Sequence, residues 1–87
     1  MNDFEQLFNL ILQRKETRPE GSNTVKELDG GVHAIGKKIV EEAAEVWMAC
    51  EYETDAEAQL EMAQLIYHLQ VMMVAKGYTP QDIYKNM

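Results

Sequence analysis

Phe4, Leu7, Phe8 and Ile11 recur at intervals of three, one and three residues, the spacing of one apolar stripe along a helix. Asn2 or Asp3 stands just before them as a capping residue, and the predicted helix ends near Thr17. From residue 18 to 31 the pattern breaks. Pro19, Gly21 and the Gly30-Gly31 pair predict a loop with room for one helical turn, and ordered loops of that length often carry function. Helical period resumes through Ile35, Ile39, Ala43, Val46, Trp47 and Cys50, which predicts a second helix over residues 32–53. Gly36 inside it costs about 1 kcal/mol relative to alanine, unless another group approaches too closely for a side chain. Thr54 and Glu57 at capping-box spacing open a third helix that runs to Lys76 and stops at Gly77. Thr79, Pro80 and Asp82 begin a short last one.

The third helix changes character along its length. Leu60, Met62, Leu65, Ile66, Leu69 and the run from Val71 to Val74 cover more than one face, and a helix that is apolar nearly all round must be buried nearly all round. The other helices are too few to wrap it, so a second copy of the chain is the expected cover. With 87 residues the chain reads as one domain, residues 1–87, near the lower size limit for a self-sufficient core. Trp47, Tyr67 and Met72-Met73 read as packing residues in such a core or dimer, with base stacking as the alternative role for Trp47 and Tyr67.

Charge narrows the partners. A net charge of −7 repels bare nucleic acid and anionic lipid, so a polyphosphate ligand requires a bridging cation. No basic leader or run of about 18 apolar residues is present, which predicts a soluble, cytoplasmic chain with no membrane partner. The single Cys50 fits a reducing compartment and reads as a small buried hydrophobe.

Two polar stripes carry the candidate chemistry. On the second helix Lys38, Glu42 and Glu45 fall within roughly 60° of one another, and Glu41 lies about 40° from Glu45. On the third, Glu57, Glu61, Gln64 and His68 follow a 4-3-4 spacing, again a single stripe. A short Thr54-Asp55 turn between the helices makes them antiparallel neighbours, so the stripes can meet. Two readings stay open from geometry alone: a solvated acidic face, or a site for a hard cation. Magnesium suits the second, since it takes oxygen ligands and completes its shell with water and phosphate. His33, His68 and Cys50 form no transition-metal spacing, and neither a phosphate-binding glycine loop nor a Ser/His/Asp set is recognisable.

The ordered set Lys38-x-x-Glu41-Glu42-x-x-Glu45, then Glu61-x-x-Gln64 after fifteen residues, then LIYHLQVMM, resembles the phosphoribosyl-ATP pyrophosphatases of the MazG-like superfamily. The likeness extends over nearly the whole chain. It implies an all-α bundle of four to five helices around a long antiparallel pair, completed as a homodimer. It also implies Mg2+-dependent hydrolysis of the α-β phosphoanhydride of phosphoribosyl-ATP, giving phosphoribosyl-AMP and pyrophosphate in histidine biosynthesis. By position, Glu42 and Glu45 match one pair of metal ligands and Glu61 matches the first member of the second pair. Gln64 stands where the superfamily has aspartate; its amide oxygen is an uncharged, weaker ligand, which leaves direct coordination there and the number of metals open.

The likeness places Glu41 and Lys38 around the metal ligands. For the chemistry it implies, Lys38 and the loop residue Arg18 are expected to contact phosphates, Glu41 to help orient the attacking water, and Ser22 and Thr24 to help close the loop over the ligand. His68 reads first as a hydrogen-bonded packing residue, with substrate binding as its alternative role. Two rival functions remain at this point: a housecleaning pyrophosphatase acting on ordinary or damaged nucleoside triphosphates, and a non-catalytic helical dimerisation module.

Overall fold

The computed structural model describes residues 3–87, so Asn2, one of the two expected caps, lies outside the described residues. Asp3 caps α1 (Phe4–Thr17): its carboxylate accepts the Gln6 N–H at 2.7 Å, and the Gln6 side chain accepts the Asp3 N–H at 3.1 Å. This reciprocal pair satisfies two donors that a helix start leaves unbonded. Phe8 and Ile11 are the buried members of the α1 stripe.

The predicted loop is mostly helix. α2 (Asn23–Tyr52) begins with Ser22, whose hydroxyl accepts the Val25 N–H at 3.3 Å, and its first turns form an arm over residues 23–30. At Gly31 the backbone leaves helical geometry with φ 81° and ψ 179°, then the helix resumes. A left-handed φ of that size favours glycine, so Gly31 sets the angle between arm and long segment. The glycine pair therefore marks a kink rather than the end of a loop, and one predicted turn becomes a full arm.

α3 (Asp55–Lys76) starts at Thr54, which accepts the Glu57 N–H at 3.2 Å, and ends at Gly77 in the left-handed region with φ 77°. α4 (Pro80–Tyr84) opens on a capping box between Thr79 and Asp82. Two residues separate α2 from α3, which makes them the central packed pair, with α1 laid against both. All four elements are helical and no strand occurs among the described residues, as expected for the all-α class.

Phe8, Ile11, Ile35, Val71, Met73 and Val74 form the buried core, with Met72 packed against it. Fully burying a side chain such as Ile11 or Ile35 contributes on the order of 2 kcal/mol. Gln70 is buried among them and donates from Nε2 to the Phe4 carbonyl at 2.9 Å, which ties α3 to the start of α1.

Outside this core the apolar surface stays open. Val40, Trp47, Met48, Leu60, Ile66 and Leu69 are all exposed, Trp47 by 63%. Cys50 is exposed too, contrary to the expectation of burial. The buried position on that turn is Ala49, and one residue further rotates Cys50 about 100° away from α3. At Gly36 a Cβ would meet only the Met72 Cε, at 4.0 Å, so nothing there requires the missing side chain. No helix among the described residues is long and apolar enough to cross a membrane.

Candidate functional site

The α2–α3 pair brings three glutamates together. Glu42 and Glu45, one turn apart on α2, face Glu61 on α3, and one carboxylate oxygen from each lies within 4.8 Å of the others. Glu42 Oε2 and Glu61 Oε2 are buried and have no hydrogen-bond partner among the described residues. The Glu61 carboxyl is pushed up from 4.5 to about 7, chiefly by the neighbouring Glu45 carboxyl, then by that of Glu42, and further by desolvation. Carboxylates this close cannot all ionise unless a cation joins them. The donor set is oxygen only, which suits a hard divalent ion and not a thiolate- or imidazole-seeking one.

The cluster opens into a cavity of about 760 Å³ between the arm, the long segment of α2 and α3. Lys38 and Glu41 stand on its wall, with Lys38 Nζ 3.8 Å from Glu41 Oε2. Gln64, one turn after Glu61, also lines it. At the far end the arm contributes Asn23, Lys26 and Glu27, and α3 contributes Tyr67 and His68. Glu27 Oε2 and His68 Nδ1 are 2.9 Å apart. An acidic end with unpartnered oxygens and a wall carrying lysines can receive a cation together with a phosphate chain.

The phosphoribosyl-ATP pyrophosphohydrolase family description matches residues 1–87. The chain belongs to that family. It is therefore a phosphoribosyl-ATP pyrophosphohydrolase of histidine biosynthesis, a hydrolase of a phosphoanhydride with a nucleotide substrate. Family membership decides against both rival functions, the housecleaning enzyme and the non-catalytic module. Metal dependence is typical of such hydrolases, and this phosphoribosyl-ATP pyrophosphohydrolase chain carries an acidic cluster at Glu42, Glu45 and Glu61.

The remaining candidates are divided between the cavity and its surroundings. Arg18, at the left-handed C-cap of α1, donates from Nη2 to Asp29 Oδ2 at 2.7 Å, and this bond holds the Asp29 carboxyl below its ordinary range. Arg18 and Ser22 line a neighbouring depression, which shares Asn23 and Lys26 with the main cavity. Ser22 spends its hydroxyl oxygen on the cap of α2. Thr24 lines neither space: it is buried, and its hydroxyl bonds the Tyr67 hydroxyl, fastening the arm to α3. Burial is also the main reason the Tyr67 phenol is pushed up.

Sequence reasoning missed Glu27, Lys26 and Asn23, because residues 23–30 read as loop. One signal was available. Ser22 is a strong N-cap residue, and Val25 and Leu28 follow it three residues apart, which is helical spacing. Tyr67 reads from the sequence as a packing residue, with base stacking as its alternative, and its place in the wall depends on where the arm folds back.

Proposed function

We propose that Glu42, Glu45 and Glu61 bind Mg2+ and that the cavity beside them holds the triphosphate of phosphoribosyl-ATP, in a cytoplasmic homodimer. The observation that carries this reading is the pair of buried, unpartnered oxygens on Glu42 and Glu61, since an uncompensated buried carboxylate is costly and a cation removes the cost. When bound, magnesium supplies charge neutralisation across the phosphoanhydride and acidifies a coordinated water. Glu61, pushed up to about 7, holds the proton of the metal-free cluster and releases it as the ion enters.

Lys38 stands at the cavity wall, where its ammonium compensates charge on the departing pyrophosphate, and Glu41, within 3.8 Å of it, orients the attacking water. Gln64 serves as a neutral oxygen donor beside Glu61. Arg18 and Ser22 border the second depression and contact the substrate from there, while Thr24 acts indirectly by fixing the arm through Tyr67. Exposed Trp47, Leu60 and Ile66 support the homodimer, because a small chain rarely leaves so much apolar surface in water.

The test is pyrophosphate release from phosphoribosyl-ATP with and without magnesium. Release in magnesium, none in chelator, and none from Glu42→Gln is the expected result. Full activity in Glu42→Gln removes the cluster from the site. Sedimentation equilibrium checks the dimer, and a monomer at micromolar concentration contradicts it.

A further inference from the structure

The glutamate cluster accounts for one end of the cavity; the other is built by a pair that the hydrolytic chemistry does not use. The side chains of Glu27 and His68 are only 11% and 12% exposed, and both line the cavity. A carboxylate 2.9 Å from Nδ1 keeps the proton of the neutral ring on that nitrogen, which leaves Nε2 as a hydrogen-bond acceptor. Nε2 makes no hydrogen bond among the described residues, and it does not occur among their buried, unpartnered atoms. Tyr67 packs edge-on against the imidazole at a centroid distance of 5.1 Å, and Tyr67 is itself held by Thr24. The ring is thus oriented from both sides while Nε2 stays available.

Position and charge indicate what Nε2 meets. His68 follows Glu61 by seven residues on the same face of α3, roughly 10 Å along the axis at helical rise. A group that far from the reacting phosphoanhydride faces the organic part of the substrate. The Glu27–His68 pair carries no net positive charge, so it adds nothing to the attraction of the neighbouring Lys26 for a phosphate, whereas an acceptor nitrogen suits an O–H donor. We propose that His68, oriented by Glu27, accepts a hydrogen bond from a ribose hydroxyl of the nucleotide and so selects the nucleoside part of the substrate. The inference rests on the reading of Glu42, Glu45 and Glu61 as the hydrolytic end. Glu27 is then a positioning residue.

A purely structural pair would pin the arm to α3 without telling one ligand from another. Calorimetric titration with the two products, phosphoribosyl-AMP and pyrophosphate, both in magnesium, separates the cases. His68→Ala should weaken phosphoribosyl-AMP binding about tenfold, the size of one lost hydrogen bond, and leave pyrophosphate binding unchanged. His68→Asn carries the same test if the alanine variant does not fold. Glu27→Ala should cause a similar loss in the native background and no further loss in His68→Ala, while Glu27→Gln, which still accepts the Nδ1–H, keeps most of the affinity. Equal weakening of both products, or unchanged phosphoribosyl-AMP binding in a folded His68 variant, overturns the proposal. Glu42→Gln reports on the other reading separately: loss of turnover with phosphoribosyl-AMP still bound supports the hydrolytic assignment, and retained turnover rejects it whatever the His68 variants do.

Discussion

Glu27 lines the same cavity as Glu42 and Glu45 of the glutamate cluster, and the fold treats Glu27 and the cluster in opposite ways. Glu27 has a partner from its own chain, since His68 meets its carboxylate at 2.9 Å. The three cluster glutamates have chiefly one another, and two of their oxygens are buried without any bond. A satisfied buried carboxylate fixes neighbouring groups in place; an unsatisfied set stores repulsion until something positive arrives. The first kind shapes the site and the second waits for a ligand.

Substitution should separate the two kinds most strongly in turnover. Glu42→Gln or Glu61→Gln should lower kcat/KM by more than about 100-fold, beyond the usual effect of losing an outer partner of a metal site, while circular dichroism shows unchanged helix content. Next in size is a pH effect. The Glu61 carboxyl is raised from 4.5 to about 7 by its carboxylate neighbours, so its stabilising contribution to the metal-free fold is complete below pH 4.5 and lost as pH rises through 7. The thermal midpoint in chelator should fall across that window, flatten in Glu61→Gln, and recover at high pH when magnesium is added; a midpoint that ignores all three changes contradicts the unsatisfied cluster.

Breaking the satisfied pair should instead cost stability. Glu27→Ala removes a charged, nearly buried hydrogen bond, and denaturant unfolding should show a loss of roughly 1.5–3 kcal/mol that magnesium does not restore. The smallest effect is expected away from both sets. Gly36→Ala should stabilise α2 by up to about 1 kcal/mol, because a Cβ there has only ordinary contact with Met72.

The two stripes were legible in the sequence because helical spacing places Glu42 and Glu45 on one face and Glu61 on another, and a short turn lets those faces meet. Singling out these three glutamates within the stripes came from the family resemblance. The caps at Asp3, Thr54, Gly77 and Thr79 were legible for a similarly local reason: each depends on a residue and its neighbours within one turn. Glu27 was not. Its role depends on Gly31 adopting a left-handed φ within what continues as helix, and a Gly30-Gly31 pair more often signals an ending than a kink. Cys50 failed on phase: a stripe of six apolar residues does not say which of two adjacent positions, Ala49 or Cys50, turns inward. The open surface around Trp47 could be anticipated from α3, whose apolar residues exceed what three other helices can cover.

The most direct measurement is calorimetric titration of magnesium into the metal-free chain at pH 7, repeated in buffers of different ionisation enthalpy to count released protons. Saturable binding with proton release in the native chain, and neither in Glu61→Gln, is the predicted result. Binding of equal strength in both, or none in the native chain, contradicts the claim that these three glutamates are a cation site.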